Sequence, residues 1–87
     1  MSQFDLKITS PDGSLFDGKV SCLFVRGAEG DLAILAGHIP FITTIKPCEC
    51  KVLFDDGSER SGRTESGMLS VAENKATLLS SSFKWNK

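Results

Sequence analysis

Turn signals recur so closely along this chain that no window is left for a long helix. They are Ser10-Pro11-Asp12-Gly13, Asp17-Gly18, Gly27-Ala28-Glu29-Gly30, Gly37-His38, Lys46-Pro47, Asp55-Asp56-Gly57, Ser66-Gly67 and Glu73-Asn74. Most intervals between them hold a short strand but not several turns of helix. Within the intervals the apolar period is two. Phe4, Leu6 and Ile8 alternate with Asp5 and Lys7; Cys48, Cys50, Val52 and Phe54 alternate with Glu49, Lys51, Leu53 and Asp55; Leu69 and Val71 alternate with Ser70 and Ala72. That is the pattern of half-buried antiparallel strands. Val20 to Val25 and Leu32 to Leu35 are apolar on both faces and read as central strands. Asp56-Gly57 is the clearest hairpin turn, since both positions tolerate positive φ. The expectation is an all-β fold, a flattened ten-stranded β-sandwich or barrel of two antiparallel sheets. The polar tail Ser80 to Ser82 is expected to fray, with Phe83 and Trp85 as anchors.

The chain has 87 residues, which predicts one domain spanning 1–87. A domain of this size buries a limited share of its surface, so a permanent partner covering apolar area would stabilise it. Ten Lys and Arg face eleven Asp and Glu, a net charge of −1. That removes the simplest argument for nucleic-acid or anionic-membrane binding, which needs a basic excess. Three cysteines, Cys22, Cys48 and Cys50, cannot all pair within one chain, and reduced thiols in a cytosolic compartment fit better than a disulfide framework. The start, Met1 to Asp5, lacks the basic-then-apolar pattern of a signal peptide. The longest strictly apolar run is Leu32 to Ala36, against the roughly 20 residues of a membrane span. Membrane association is expected only through a partner.

Candidate catalytic chemistry weakens on inspection. Gly13 to Val20 has the spacing of a phosphate-binding loop, G-x-x-x-x-G-K, but Val20 stands where Ser or Thr should hold magnesium. The required helix is replaced by the strand sequence Val20 to Val25, and Leu15 and Phe16 are too apolar for a phosphate cradle. The three cysteines with His38 offer four zinc ligands. Structural zinc sites, however, use C-x₂₋₄-C spacing on turns, and Cys48-x-Cys50 instead continues the apolar face of Val52 and Phe54. His38 is the sole imidazole, and no G-x-S-x-G elbow exists. Asp55 and Asp56 would point to opposite faces in a strand and suit a turn. No catalytic residue, cofactor or metal is expected.

The segment from Glu29 to Phe41 stands apart. An acidic glycine turn leads into an apolar strand, a second glycine turn carries His38, and the next strand opens with Ile39-Pro40-Phe41. Pro40 cannot donate to a ladder and suits an edge or a strand start. An apolar edge beside an imidazole is either a docking surface or an ordinary hairpin, and the residues alone leave both open.

This segment resembles the N-terminal β-sandwich domain of the epsilon subunit of F-type ATP synthases, whose pattern is approximately E-G-x-L-G-I-L-P-G-H-x-P. Glu29, Gly30, Leu32, Ile34, Leu35, Gly37, His38 and Pro40 match it, while Ala33 and Ala36 replace a glycine and a proline. The likeness continues through Leu15-Phe16-x-Gly18 upstream and through Thr43-x-Ile45-Lys46-Pro47 and Gly67 to Val71 downstream, roughly residues 3 to 80. Cys48 replaces the glycine that commonly follows Lys-Pro. Nothing here encodes the pair of C-terminal helices that many members carry, so neither braking nor nucleotide binding through them is expected. The resemblance implies a non-catalytic rotor subunit of the central stalk, coupling ion translocation to ATP synthesis. It implies gamma-subunit contacts at Ser10, His38, Ile39, Pro40 and Phe41, and c-ring contacts at Glu29, Gly30 and Asp31. It also implies a peripheral place on the cytoplasmic face of a bacterial membrane, reached through the complex. The competing expectation is a free-standing sandwich that binds a peptide or another ligand. The absence of Tyr and the single Trp85 argue against a sugar.

Overall fold

The period-two pattern becomes ten strands in a computed structural model that describes residues 3–37 and 39–86. They are β1 (Phe4–Ser10), β2 (Gly13–Val20), β3 (Cys22–Gly27), β4 (Gly30–Leu35), β5 (Phe41–Ile45), β6 (Cys48–Leu53), β7 (Glu59–Thr64), β8 (Gly67–Ala72), β9 (Lys75–Ser80) and β10 (Phe83–Trp85). No helix long and apolar enough to cross a membrane occurs among the described residues. The all-β, ten-strand expectation holds. The strands run as one hydrogen-bonded path, β10-β7-β6-β3-β5-β8-β9-β1-β2, with β4 paired to β3 beside it. Every pairing is antiparallel except β1 with β9, where Asp5 to Thr9 run parallel to Lys75 to Leu79.

The path bends into a nearly closed barrel. Its two ends, β2 and β10, meet at Trp85, whose indole N–H donates to the Leu15 carbonyl at 3.3 Å. The Trp85 ring also packs edge-on to Phe16 and Phe83, at 6.1 and 4.9 Å between centroids. The Arg60 guanidinium covers that ring at 3.9 Å. Leu15 is presented there because β2 carries a bulge: Ile8 faces Phe16, Thr9 faces Ser14, and Leu15 is the extra residue.

Inside lie Phe4, Leu6, Ile8, Val20, Leu23, Val25, Ile34, Ile45, Cys50, Val52, Leu69, Val71, Ala76, Leu78 and Phe83, all buried. Each large side chain among them contributes about 1.5–3 kcal/mol relative to exposure. Close strand approach depends on two glycines. A Cβ at Gly62 would meet the Lys84 carbonyl oxygen at 2.6 Å and the Phe83 ring at 2.9 Å, and one at Gly67 would collide with the Leu79 carbonyl.

Four local expectations change. Leu32 to Leu35 form an edge strand, not a central one, because β4 pairs only with β3 and Leu35 is exposed. Val20 to Val25 divide between β2 and β3, and Phe24 faces outward. Asp17-Gly18 continues β2 instead of turning; Gly18 has no need of positive φ there, and its open α-carbon sits against the Phe16 ring. Ser80 to Ser82 do not fray. Ser80 is buried, its hydroxyl lies 2.7 Å from that of Thr64 and donates to the Ser82 carbonyl, so the tail is tied to β7.

Candidate functional site

Strand alternation decides which residues the four-strand run β5-β8-β9-β1 presents outward. One row across it is Thr44, Met68, Leu79 and Thr9; the next is Ile42, Ser70, Thr77 and Lys7. Lys7 is the one charged residue in these two rows. Ile42, Met68 and Leu79 remain 68%, 44% and 51% exposed. A shallow depression of about 670 Å³ opens between Thr44, Met68, Leu79, Ser10 and Pro11. Ile39, 74% exposed, adds apolar surface in the segment that enters β5.

The opposite wall, β4-β3-β6-β7, has a different character. Its outward residues form ion pairs across and along strands: Arg26 with Asp31 at 3.0 Å, Lys51 with Glu59 at 3.5 Å and Arg63 with Glu65 at 3.5 Å. A cleft of about 430 Å³ runs beside Arg26, Asp31, Cys48, Glu49 and Arg63. Beneath it β3 changes partner, from β6 at Cys22 to Phe24 to β5 at Gly27. The Arg26 amide left between the two ladders donates to the Cys48 sulfur at 3.3 Å. Two exposed hydrophobes, Phe24 and Leu35, stand among these charges.

The residues expected at a gamma contact fall at two ends of the apolar face. Ser10 ends β1, lines the depression and accepts the Asp12 amide at 3.2 Å. Phe41 opens β5, half-buried against the core, with Ile39 and Pro40 exposed just before it. His38 lies outside the described residues. Ile45, at the Ser10 end, and Phe41 are four residues apart on one strand, roughly 14 Å at the usual rise. Ile42, Met68 and Leu79 fill that gap, and the sequence reading missed them. The signal was present: Met68-Leu69 and Leu78-Leu79 each place a second hydrophobe where alternation calls for a polar residue.

The residues expected at a ring contact form one hairpin. Ala28 and Glu29 are its two-residue turn, Gly30 opens β4 at a φ of 129°, and Asp31 follows it. Asp31 is ion-paired within the domain, at 3.0 Å from Arg26. It holds the Arg26 side chain, and this bond together with the carboxylate's charge raises the guanidinium pKa further above its ordinary value. Glu29 makes no ion pair among the described residues and projects at the tip.

Among the described residues no group of three or more His, Cys, Asp or Glu comes together in a way that could hold a metal. Cys22 and Cys50 are buried and Cys48 is half-buried, all as free thiols.

Comparisons with known proteins bear on the family and the fold. The family described as ATP synthase, Delta/Epsilon chain, beta-sandwich domain matches residues 3–86. A chain in the Euglena gracilis mitochondrial ATP synthase (OSCP/F1/c-ring, rotational state 1) superimposes with a TM-score of 0.91 at 20% identity. That match covers 98% of this chain and 54% of the other. A chain in the central stalk/c-ring structure of the Tetrahymena thermophila mitochondrial ATP synthase gives 0.78 at 16%, covering 95% and 66%. The present chain therefore spans about half to two thirds of the length of these structural relatives.

Proposed function

We propose a function from one premise: the chain belongs to the ATP synthase delta/epsilon β-sandwich family. It acts as a non-catalytic part of the central stalk of an F-type ATP synthase. It docks on the gamma subunit, meets the c-ring, and couples ion translocation to ATP synthesis. Its place is peripheral to the membrane and held by those partners, on the cytoplasmic face in a bacterial host.

The observation that carries this reading is the charge-poor outer face of β5-β8-β9-β1. Ile42, Met68 and Leu79 expose a contiguous apolar band with Ser10 at one end and Ile39, Pro40 and Phe41 at the other. Soluble domains of this size rarely leave such a band uncovered without a partner. The gamma contact is thus Ser10, His38, Ile39, Pro40 and Phe41, extended by Ile42, Met68 and Leu79. The ring contact is the hairpin Glu29, Gly30 and Asp31. There Glu29 offers the free carboxylate to basic groups of a polar loop, while Asp31 and Arg26 stiffen the strand behind it. A close-packed barrel between two such contacts transmits displacement with little internal give.

Replacing Ile42 and Leu79 together by Asp tests the docking face. Both side chains already face solvent, so the isolated domain is expected to stay folded. Affinity for the gamma subunit in titration calorimetry is expected to fall at least about a hundredfold, since two charges would be buried unpaired. Wild-type affinity in the doubly substituted chain removes the assignment.

A further inference from the structure

We infer that Asn74 is a positioning residue for the docking loop between β4 and β5, an inference that rests on the gamma-docking reading above. Glu73 and Asn74 form the two-residue turn between β8 and β9, and both adopt left-handed backbone conformations, φ 52° and 61°. A turn of this kind needs only residues that tolerate positive φ, and Gly or Asp would serve as well. The Asn74 side chain does more than turn. Its Oδ1 accepts the Gly37 amide at 3.0 Å, and its Nδ2 donates to the Gln3 carbonyl at 2.9 Å. Its own carbonyl accepts the Asp5 amide at 3.1 Å.

One side chain thus bridges three separate parts of the chain: the β8–β9 turn, the segment before β1, and the loop that leaves β4. Bridging an N–H and a C=O at once requires a group that both donates and accepts, which a carboxamide supplies and a carboxylate does not. The far partner is Gly37, itself at φ 78°, two residues before the exposed Ile39 and four before Phe41. Gly37 is the residue of that loop with the widest backbone freedom, and its amide is bonded to Asn74. The Asn74 bond fixes it beforehand, so less conformational freedom is lost when the gamma subunit arrives.

The test compares Asn74→Gly, which keeps the turn's backbone freedom but removes the bridge, with Glu73→Gly, which loosens the same turn and leaves the bridge intact. Three quantities are measured on the full chain: amide exchange at Gly37, melting temperature, and affinity for the gamma subunit. Asn74→Gly is expected to speed Gly37 exchange and to weaken gamma binding, each about tenfold, the scale of releasing one or two ordered residues. It is expected to melt below Glu73→Gly, since it loses two side-chain hydrogen bonds, with both variants folded at the assay temperature; Glu73→Gly keeps wild-type exchange and affinity. Unchanged Gly37 exchange in Asn74→Gly, or equal loss of affinity in both variants, overturns the inference. So does fast exchange with wild-type affinity in Asn74→Gly, when the Ile42→Asp/Leu79→Asp chain no longer binds. If that doubly charged chain also binds normally, the docking reading itself falls, and the positioning role falls with it.

Discussion

Cys48 and Cys50 sit two residues apart on β6, yet they differ in what solvent can do to them. Cys50 is fully buried, and burial, with the neighbouring Cys48 adding to it, pushes its thiol from 9.0 up to about 12. Burial also raises the thiol of Cys22. Cys48 is half-buried at the mouth of the cleft. A thiol reagent at pH 8 is therefore expected to modify Cys48 first and to reach the other two only after unfolding, because burial shields them and disfavours their thiolates. Ellman's titration with and without denaturant reads this directly. The same shift sets a pH dependence. A folded-state value above the unfolded one contributes stability that is complete below the unfolded pKa. That stability is lost as pH rises from the ordinary thiol range towards about 12. Melting curves across this alkaline range are expected to fall more steeply for the wild type than for Cys50→Ala. The sequence already showed that Cys50 shares an apolar face with Val52. The bond from the Arg26 amide to the Cys48 sulfur was not legible there. It exists only because β3 changes partner at that point, a property of the sheet and not of either local sequence.

Strand β10 is three residues long, yet it closes the barrel. The Trp85 indole bonds to the bulged Leu15 carbonyl and packs among Phe16, Phe83 and Arg60, so the free edges of β2 and β10 are held together by one side chain. Trp85→Ala is expected to destabilise the fold by roughly 3 kcal/mol. Trp85→Phe, which loses the hydrogen bond but keeps much of the packing, is expected to cost about 1 kcal/mol. Urea denaturation midpoints separate the two. Strand identities were legible wherever alternation was clean, as in β1, β6 and β8. They failed where composition misled. The apolar run in β4 belongs to an edge whose outward residues stay exposed, and Asp17-Gly18 looks like a turn but lies in an extended strand opposite Lys7 and Leu6. The serine-rich tail is ordered by the bond between Thr64 and Ser80, two residues far apart in sequence, so no local pattern announced it.

At the scale of the whole molecule one wall has two central rows with Lys7 as their single charge and the Lys19–Asp5 pair, 3.0 Å apart, at their margin, while the opposite wall is ion-paired throughout. The division gives the two proposed contacts different responses to salt. Binding to the gamma subunit, through a face with a single lysine in its two central rows, is expected to change little between 0.1 and 0.5 M NaCl, by an order-of-magnitude argument from screening lengths. Attachment to the ring through Glu29 is expected to weaken over the same range, and Glu29→Lys to remove that sensitivity together with the attachment. Calorimetry on the gamma complex and ring co-sedimentation measure the two arms. The residues that the family resemblance named fall at the two ends of this face and on the acidic hairpin. Broken alternation marks Met68 and Leu79 in the sequence, but that they lie beside Ile42 was not legible there, because the three sit on three strands whose adjacency arises only from register.

That face also has a history within each molecule's synthesis. Its strands come from both ends of this domain: β1 precedes the other nine strands, and its parallel neighbour β9 is the last but one. A nascent chain that has emerged only as far as Ala72 lacks β9, the one of the wall's four strands that joins β8 to β1. If this face is the docking surface proposed above, recruitment by the partner waits until translation has passed β9, and copies that stop short of it do not dock.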